Sequence, residues 1–172
     1  MQLFILDHIP ENAASMLCDQ HLRKMCLETA QILSSVMFLH GVTPVDGMPK
    51  PYNPHHPVIA ALDNQHKINW TVLYNEALQR EFLFRFGKAH AYAGLTPEYR
   101  RALFRENLKI RMEKLSFARD FKDIHIFEPD IVKAYRIYYK YKKSILKRWS
   151  YTNTKEPDWL TTPDFPGWKI KN

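Results

Sequence analysis

Sulfur and glycine are both scarce in this 172-residue chain, which holds two cysteines, Cys18 and Cys26, and five glycines. Eight residues apart on one expected helix, the two thiols stand roughly 12 Å from each other, too far for a disulfide. Free thiols and the lack of a signal peptide make a reducing cytoplasm the expected compartment. Long apolar runs are missing as well. None approaches the length of a membrane span, and the opening MQLFIL is far too short for one. Acids are outnumbered, 18 against 25 Lys and Arg, leaving a formal net charge of +7. A basic surface favours a polyanion such as nucleic acid, which gains by releasing condensed counterions. A generally basic protein without such a partner is the plain alternative.

What is present is apolar mass: 45% hydrophobic and 13% aromatic residues. That suffices for a core with no disulfide or metal staple, and the length suits a single domain. MQLFIL has strand-like composition but no evident partner, so it reads as an extended arm tucked under helices. Helical periodicity begins at Pro10 and runs to Leu39, where His40-Gly41 supplies a stop. Prolines 44, 49, 51, 54 and 57 then impose a long loop. A second helical pattern covers roughly 58–86, with a break expected near Asp63-Asn64 and Gly87 as its C-terminal glycine. Thr96 as N-cap and Pro97 behind it open a third helix expected to reach Leu115. Residues 116–129 look irregular, and a last helix follows from Asp130 to about Trp149. The expected fold is therefore all-α, a single compact domain of about four main helices with a proline-rich loop and an irregular tail. Residues 1–151 form the helical part, and 152–172 a proline-rich tail packed on it or trailing from it.

Four groups of residues carry chemistry. At 100° per residue, Cys18, His21, Met25 and Glu28 fall within about 80° on the first long helix. His21 and Glu28 lie at the margin of its apolar face, where core meets cleft. A carboxylate in that position can serve as an acid or base, or it can simply be a structural hydrogen-bonding group. Cys18 and His21 have the look of half a metal site, for which His55, His56, His66 or His90 would be the remaining ligands. With no second cysteine pair and no H-E-x-x-H, no metal and no cofactor is expected. His55 and His56, in YNPHHP, precede a helix start that attracts anions. Arg85, Lys88 and His90 cluster at a helix C-terminus, where cations are favoured by the dipole and are also able to grip phosphate. The last helix carries seven basic residues against one acid, among them Arg136, Lys140 and Lys143, interleaved with Tyr139, three other tyrosines and Trp149. Basic groups neutralise phosphates while aromatic faces stack on bases. About half of those aromatics are expected in the core, since the helix needs an apolar face to dock.

CDQHLRKMCLETAQIL, HHP, RFGKAH, VKAYRIYYKYKKSILKRW and EPDWL together resemble a recurring pattern in a group of bacteriophage proteins. More distantly, the arrangement resembles the endonuclease V-type pyrimidine dimer DNA glycosylases, small basic all-helical repair enzymes. Their first long helix has a D-Q-H-L segment with a glutamate seven residues past the histidine, matched here by Asp19-Gln20-His21-Leu22 and Glu28. The resemblance implies base excision followed by strand nicking on double-stranded, damaged or modified DNA. An N-terminal α-amine, here Met1, attacks C1′ of the nucleotide and forms an imine. Glu28 assists the protonation steps, and His21 positions DNA or the glutamate. α-Amines ordinarily titrate near pH 8, which leaves a neutral fraction for attack. The arginines that flank the glutamate in that family are replaced by Leu27 and Gln31, with Arg23 and Lys24 the nearest substitutes. The resemblance further implies host-cell cytoplasm as the setting, no membrane, and a monomer. The rival expectations are a non-catalytic phage DNA-binding or host-takeover protein, or an enzyme on modified bases or nucleotides without an amine nucleophile.

Overall fold

The computed structural model describes residues 1–111, 115–119, 121–162 and 168–170. It is all-α. The helices are α1 (Pro10–Ser15), α2 (Asp19–Leu39), α3 (Pro57–Ala60), α4 (Gln65–Phe86), α5 (Thr96–Leu103) and α6 (Ile131–Ile145). A short antiparallel ladder joins β1 (Ile124–Ile126) to β2 (Trp168–Ile170), a pairing that the sequence did not announce. No helix among the described residues is long and apolar enough to cross a membrane.

The N-terminal arm explains how the helices come together. Leu3, Phe4, Ile5 and Leu6 are buried, yet among the described residues the arm pairs with no strand. Buried backbone groups need partners, and here helix side chains supply them. Tyr74 and Trp70 of α4 donate to the carbonyls of Phe4 and His8, and Arg136 of α6 donates to Leu6. The arm is thus pinned between α4 and α6 while its first residues reach α2. Behind it, α4 packs on α1, α2 and α5. A buried relay fixes that stack: Asn75 donates to Thr29 of α2 at 2.9 Å and accepts from Thr96 of α5 at 3.2 Å.

The expected bounds of the first and third helices move because distant side chains outweigh local propensity, while the break in the second falls where expected. The helix expected from Pro10 to Leu39 breaks at Met16–Cys18. Cys18 is extended there, its N–H donating to the Tyr139 hydroxyl at 2.7 Å, while the Asp19 N–H donates to the Ser150 carbonyl at 2.9 Å. The second pattern divides near the expected break, with the Asn64 side chain capping α4 through the Lys67 N–H. The third helix stops at Leu103. Gln65 there donates to the Leu103 carbonyl, and the Asn69 amide pairs with both the N–H and C=O of Arg105, holding that residue out of the helix. Residues 112–114 of the expected helix lie outside the described residues. Thr96 is the first residue of α5 rather than its cap, its hydroxyl being committed to Asn75.

Candidate active site

A cleft of about 220 Å³ opens where the arm, α2 and α6 meet. Met1, Gln2, His21, Lys24, Glu28, Lys122, Tyr138 and Lys142 all line it. Glu28 is 8% exposed, and its carboxylate is held from two directions. The backbone N–H of Gln2 donates to Oε2 at 3.0 Å, and Lys24 Nζ lies 3.5 Å from Oε1. That first contact spans 26 residues of sequence. The α-amine of Met1 is three bonds from the Gln2 nitrogen, at most about 3.7 Å away by standard bond lengths, and so within about 7 Å of Oε2.

His21 sits in an aromatic box. Its ring centroid lies 4.8 Å from Phe4, 5.1 Å from Tyr139 and 5.5 Å from Trp149. Burial, then the nearby Lys24 and Lys142 charges, push its pKa down to about 4, so the ring is neutral across physiological pH. Nδ1 has no hydrogen-bond partner among the described residues. Glu28 takes its contacts from Gln2 and Lys24, and among the described residues no hydrogen bond joins it to His21, though both line the cleft. Lys142 reaches the cleft with Nζ 5.0 Å from the Tyr138 ring centre and 3.9 Å from Asp123. Burial lowers its pKa and the lysines 24 and 122 add to the effect, against the pull of Asp123.

The remaining basic residues singled out in the sequence are scattered, and several are spent inside the fold. Arg85 is a correction. Its side chain is fully buried, donating to Glu81 at 2.6 Å, Leu17 O at 2.6 Å, Ser15 O at 2.7 Å and Asp19 at 3.2 Å. It ties α4 to the start of α2 and presents nothing to DNA. Tyr139 is likewise corrected to core: 0% exposed, with its hydroxyl on the Cys18 N–H. Arg136 is occupied with Leu6 O and Asp7. Lys140 donates to Thr162, while Lys143 and Trp149 both meet Glu156, so these three help to hold the tail. Arg23 lies flat on the Phe86 ring at 3.7 Å, on the α4 side of α2. His56 caps α3 through the Val58 N–H, and His55 is exposed in the proline-rich loop beside it. Lys88 is exposed, whereas His90 packs on Phe82 at 4.9 Å, and burial lowers its pKa. None of these lines the cleft. Among the described residues no group of three or more His, Cys, Asp or Glu could hold a metal.

Of the residues named in the sequence, Met1, His21, Lys24 and Glu28 are brought together. Gln2 and Lys122 join them unannounced, with Tyr138 and Lys142, which the sequence offered only among the basic and aromatic residues of the last helix. A period-3.6 pattern orders residues within one helix but says nothing of which helix faces which. The run of basic residues on α6 was the only signal for Lys142.

A model of the pyrimidine dimer DNA glycosylases matches residues 1–91, the segment that carries the arm, His21 and Glu28. The chain belongs to this family. Membership points, at the level of the family, to a DNA glycosylase with DNA as its partner. No curated protein and no solved structure matches the chain. The matched segment contains Met1, Gln2, Lys24 and Glu28, whereas Lys122, Tyr138 and Lys142 come from outside it.

Proposed function

We propose that the protein excises a damaged or modified base from DNA and then nicks the strand, using the Met1 α-amine as nucleophile and Glu28 as its acid–base partner. The observation that carries this reading is the Gln2 N–H···Glu28 hydrogen bond of 3.0 Å. It fastens the first residues of the chain against a buried carboxylate and so keeps the Met1 amine within about 7 Å of Oε2.

The chemistry follows from the pair. The neutral amine attacks C1′; the C1′–N bond breaks and the base leaves with a proton. Ring opening gives an imine between the amine and C1′. Loss of a C2′ proton then expels the 3′ phosphate by cleavage of C3′–O, and water releases the amine. Glu28 is placed to hand over and remove protons in these steps. Neutral His21, boxed by Phe4, Tyr139 and Trp149, supports the arm by packing. A nucleotide must leave the duplex stack to enter a cleft of this size.

Borohydride trapping on duplex DNA bearing an abasic site or a thymine dimer tests the proposal. A covalent protein–DNA adduct that forms with free amine and vanishes on N-terminal acetylation supports it. Absence of any adduct, together with DNA activities that survive Glu28→Gln, overturns it.

A further inference from the structure

The lysines of the cleft are not explained by the amine and the carboxylate. Lys24 comes from α2, Lys122 from the segment before β1, and Lys142 from α6, so three separate parts of the chain converge on one opening. Among the described residues the only carboxylate lining it is Glu28, with Asp123 3.9 Å from Lys142 outside. Three ammonium groups and an α-amine thus face one lining carboxylate. Lys122 has no ion pair among the described residues, and the Lys24 pair with Glu28 is long at 3.5 Å. Elsewhere on α6, Arg136 pairs with Asp7 and Lys143 with Glu156, both outside the cleft. Like charges gathered in a partly desolvated space repel one another: burial first, and Lys24 and Lys122 after it, lower the Lys142 pKa against the pull of Asp123. An anion in the opening reverses it.

We infer that Lys24, Lys122 and Lys142 form a seat for a phosphodiester adjoining the sugar held at the Met1 amine. Two of its three members lie beyond residues 1–91, so this is a property of the chain's own C-terminal half and not of the matched segment. The inference rests on the proposed excision reading and deepens it by naming which residues hold the strand. The seat also faces where charge develops. When C3′–O breaks, the bonding pair leaves with the phosphate, and fixed cations stabilise that departing group more than the intact diester. Lys142 and Lys122 act here as positioning residues, because the amine and Glu28 carry the bond changes.

The test uses the full chain and a duplex with one tetrahydrofuran abasic analogue, which binds but cannot react. Methylphosphonates neutralise the phosphate 5′ or 3′ of the analogue in turn. Affinity is measured against salt for wild type, Lys122→Met, Lys142→Met, Lys142→Arg and, as a remote control, Lys50→Met. The log–log salt slope is expected to fall in magnitude by about 0.9 for Lys122→Met and for Lys142→Met, since each removes one phosphate contact. Lys142→Arg and Lys50→Met are expected to keep the wild-type slope. At one of the two flanking phosphates, the methylphosphonate weakens wild type several-fold and costs Lys142→Met nothing further. Additive losses at both positions, or unchanged slopes, overturn the seat. Because the analogue forms no imine, those results stand apart from borohydride trapping, which tests the excision reading alone.

Discussion

Replacing Asp19 by alanine should cost the fold about 3 kcal/mol, a value that follows from what its carboxylate holds. It accepts from the Thr152 N–H at 3.1 Å, the Thr152 hydroxyl at 2.8 Å, the Ser150 hydroxyl at 2.9 Å and Arg85 at 3.2 Å. Removing one partner of a buried ion pair ordinarily costs about 3–5 kcal/mol, because the other charge is stranded. Arg85 keeps Glu81 and two carbonyls, which places the cost at the lower end. For a chain of this size the loss corresponds to a fall in Tm of about 6–12 °C. The pH dependence fixes the cause. Burial alone would raise the Asp19 pKa, but hydrogen bonds from Thr152, Ser150 and Arg85 outweigh it and lower the value. The stabilisation is then complete above the unfolded pKa of about 3.9 and is lost as pH falls through the lower folded value. Thermal unfolding of wild type and Asp19→Ala from pH 7 to pH 2.5 should show the gap narrowing only below about pH 4. A Tm loss under about 2 °C at pH 7, or a gap indifferent to pH, refutes the reasoning.

Glu28→Gln keeps an oxygen for the Gln2 N–H, so it should fold normally while single-turnover nicking of abasic duplex falls by about 10²–10⁴-fold; near-wild-type nicking contradicts the acid–base role. His21 has a folded pKa of about 4, below the usual unfolded value, so its burial should cost stability as pH drops from about 6.5 toward 4. A His21→Phe variant should flatten the Tm profile across that window, and an unchanged slope would show that His21 is not its source. Gly87 ends α4 with φ 64° and open space at its Cβ position, so Gly87→Ala should cost about 1 kcal/mol from backbone conformation alone, read by urea unfolding.

Much of the fold was legible because its signals are local. The apolar period of α2 and α4, the glycine after Phe86 and the break before Gln65 are all read from neighbours in the chain. What escaped was set from far away. Asn69 ends α5 from 36 residues upstream, and Tyr139 opens α2 from 121 residues downstream. The site divides in the same way. His21 and Glu28 share a helix face, which spacing left open between structure and site and the D-Q-H-L resemblance singled out, whereas Lys122 and Lys142 meet them only through packing. Charge on α6 was a poor guide, because Arg136, Lys140 and Lys143 hold the arm and the tail. Arg85 shows the reverse case, a cation at a helix end that looked exposed and is enclosed by carbonyls and carboxylates.

The central claim is that the α-amine beside Glu28 is the nucleophile, and locating the covalent bond tests it most directly. The protein is trapped with borohydride on abasic duplex, digested, and the sugar-modified peptide is sequenced by mass spectrometry. A reduced adduct is expected on the Met1 nitrogen, abundant in wild type and sharply diminished in Glu28→Gln. An adduct on Lys24, Lys122 or Lys142 with Met1 unmodified, or no adduct under conditions where the strand is nicked, contradicts it.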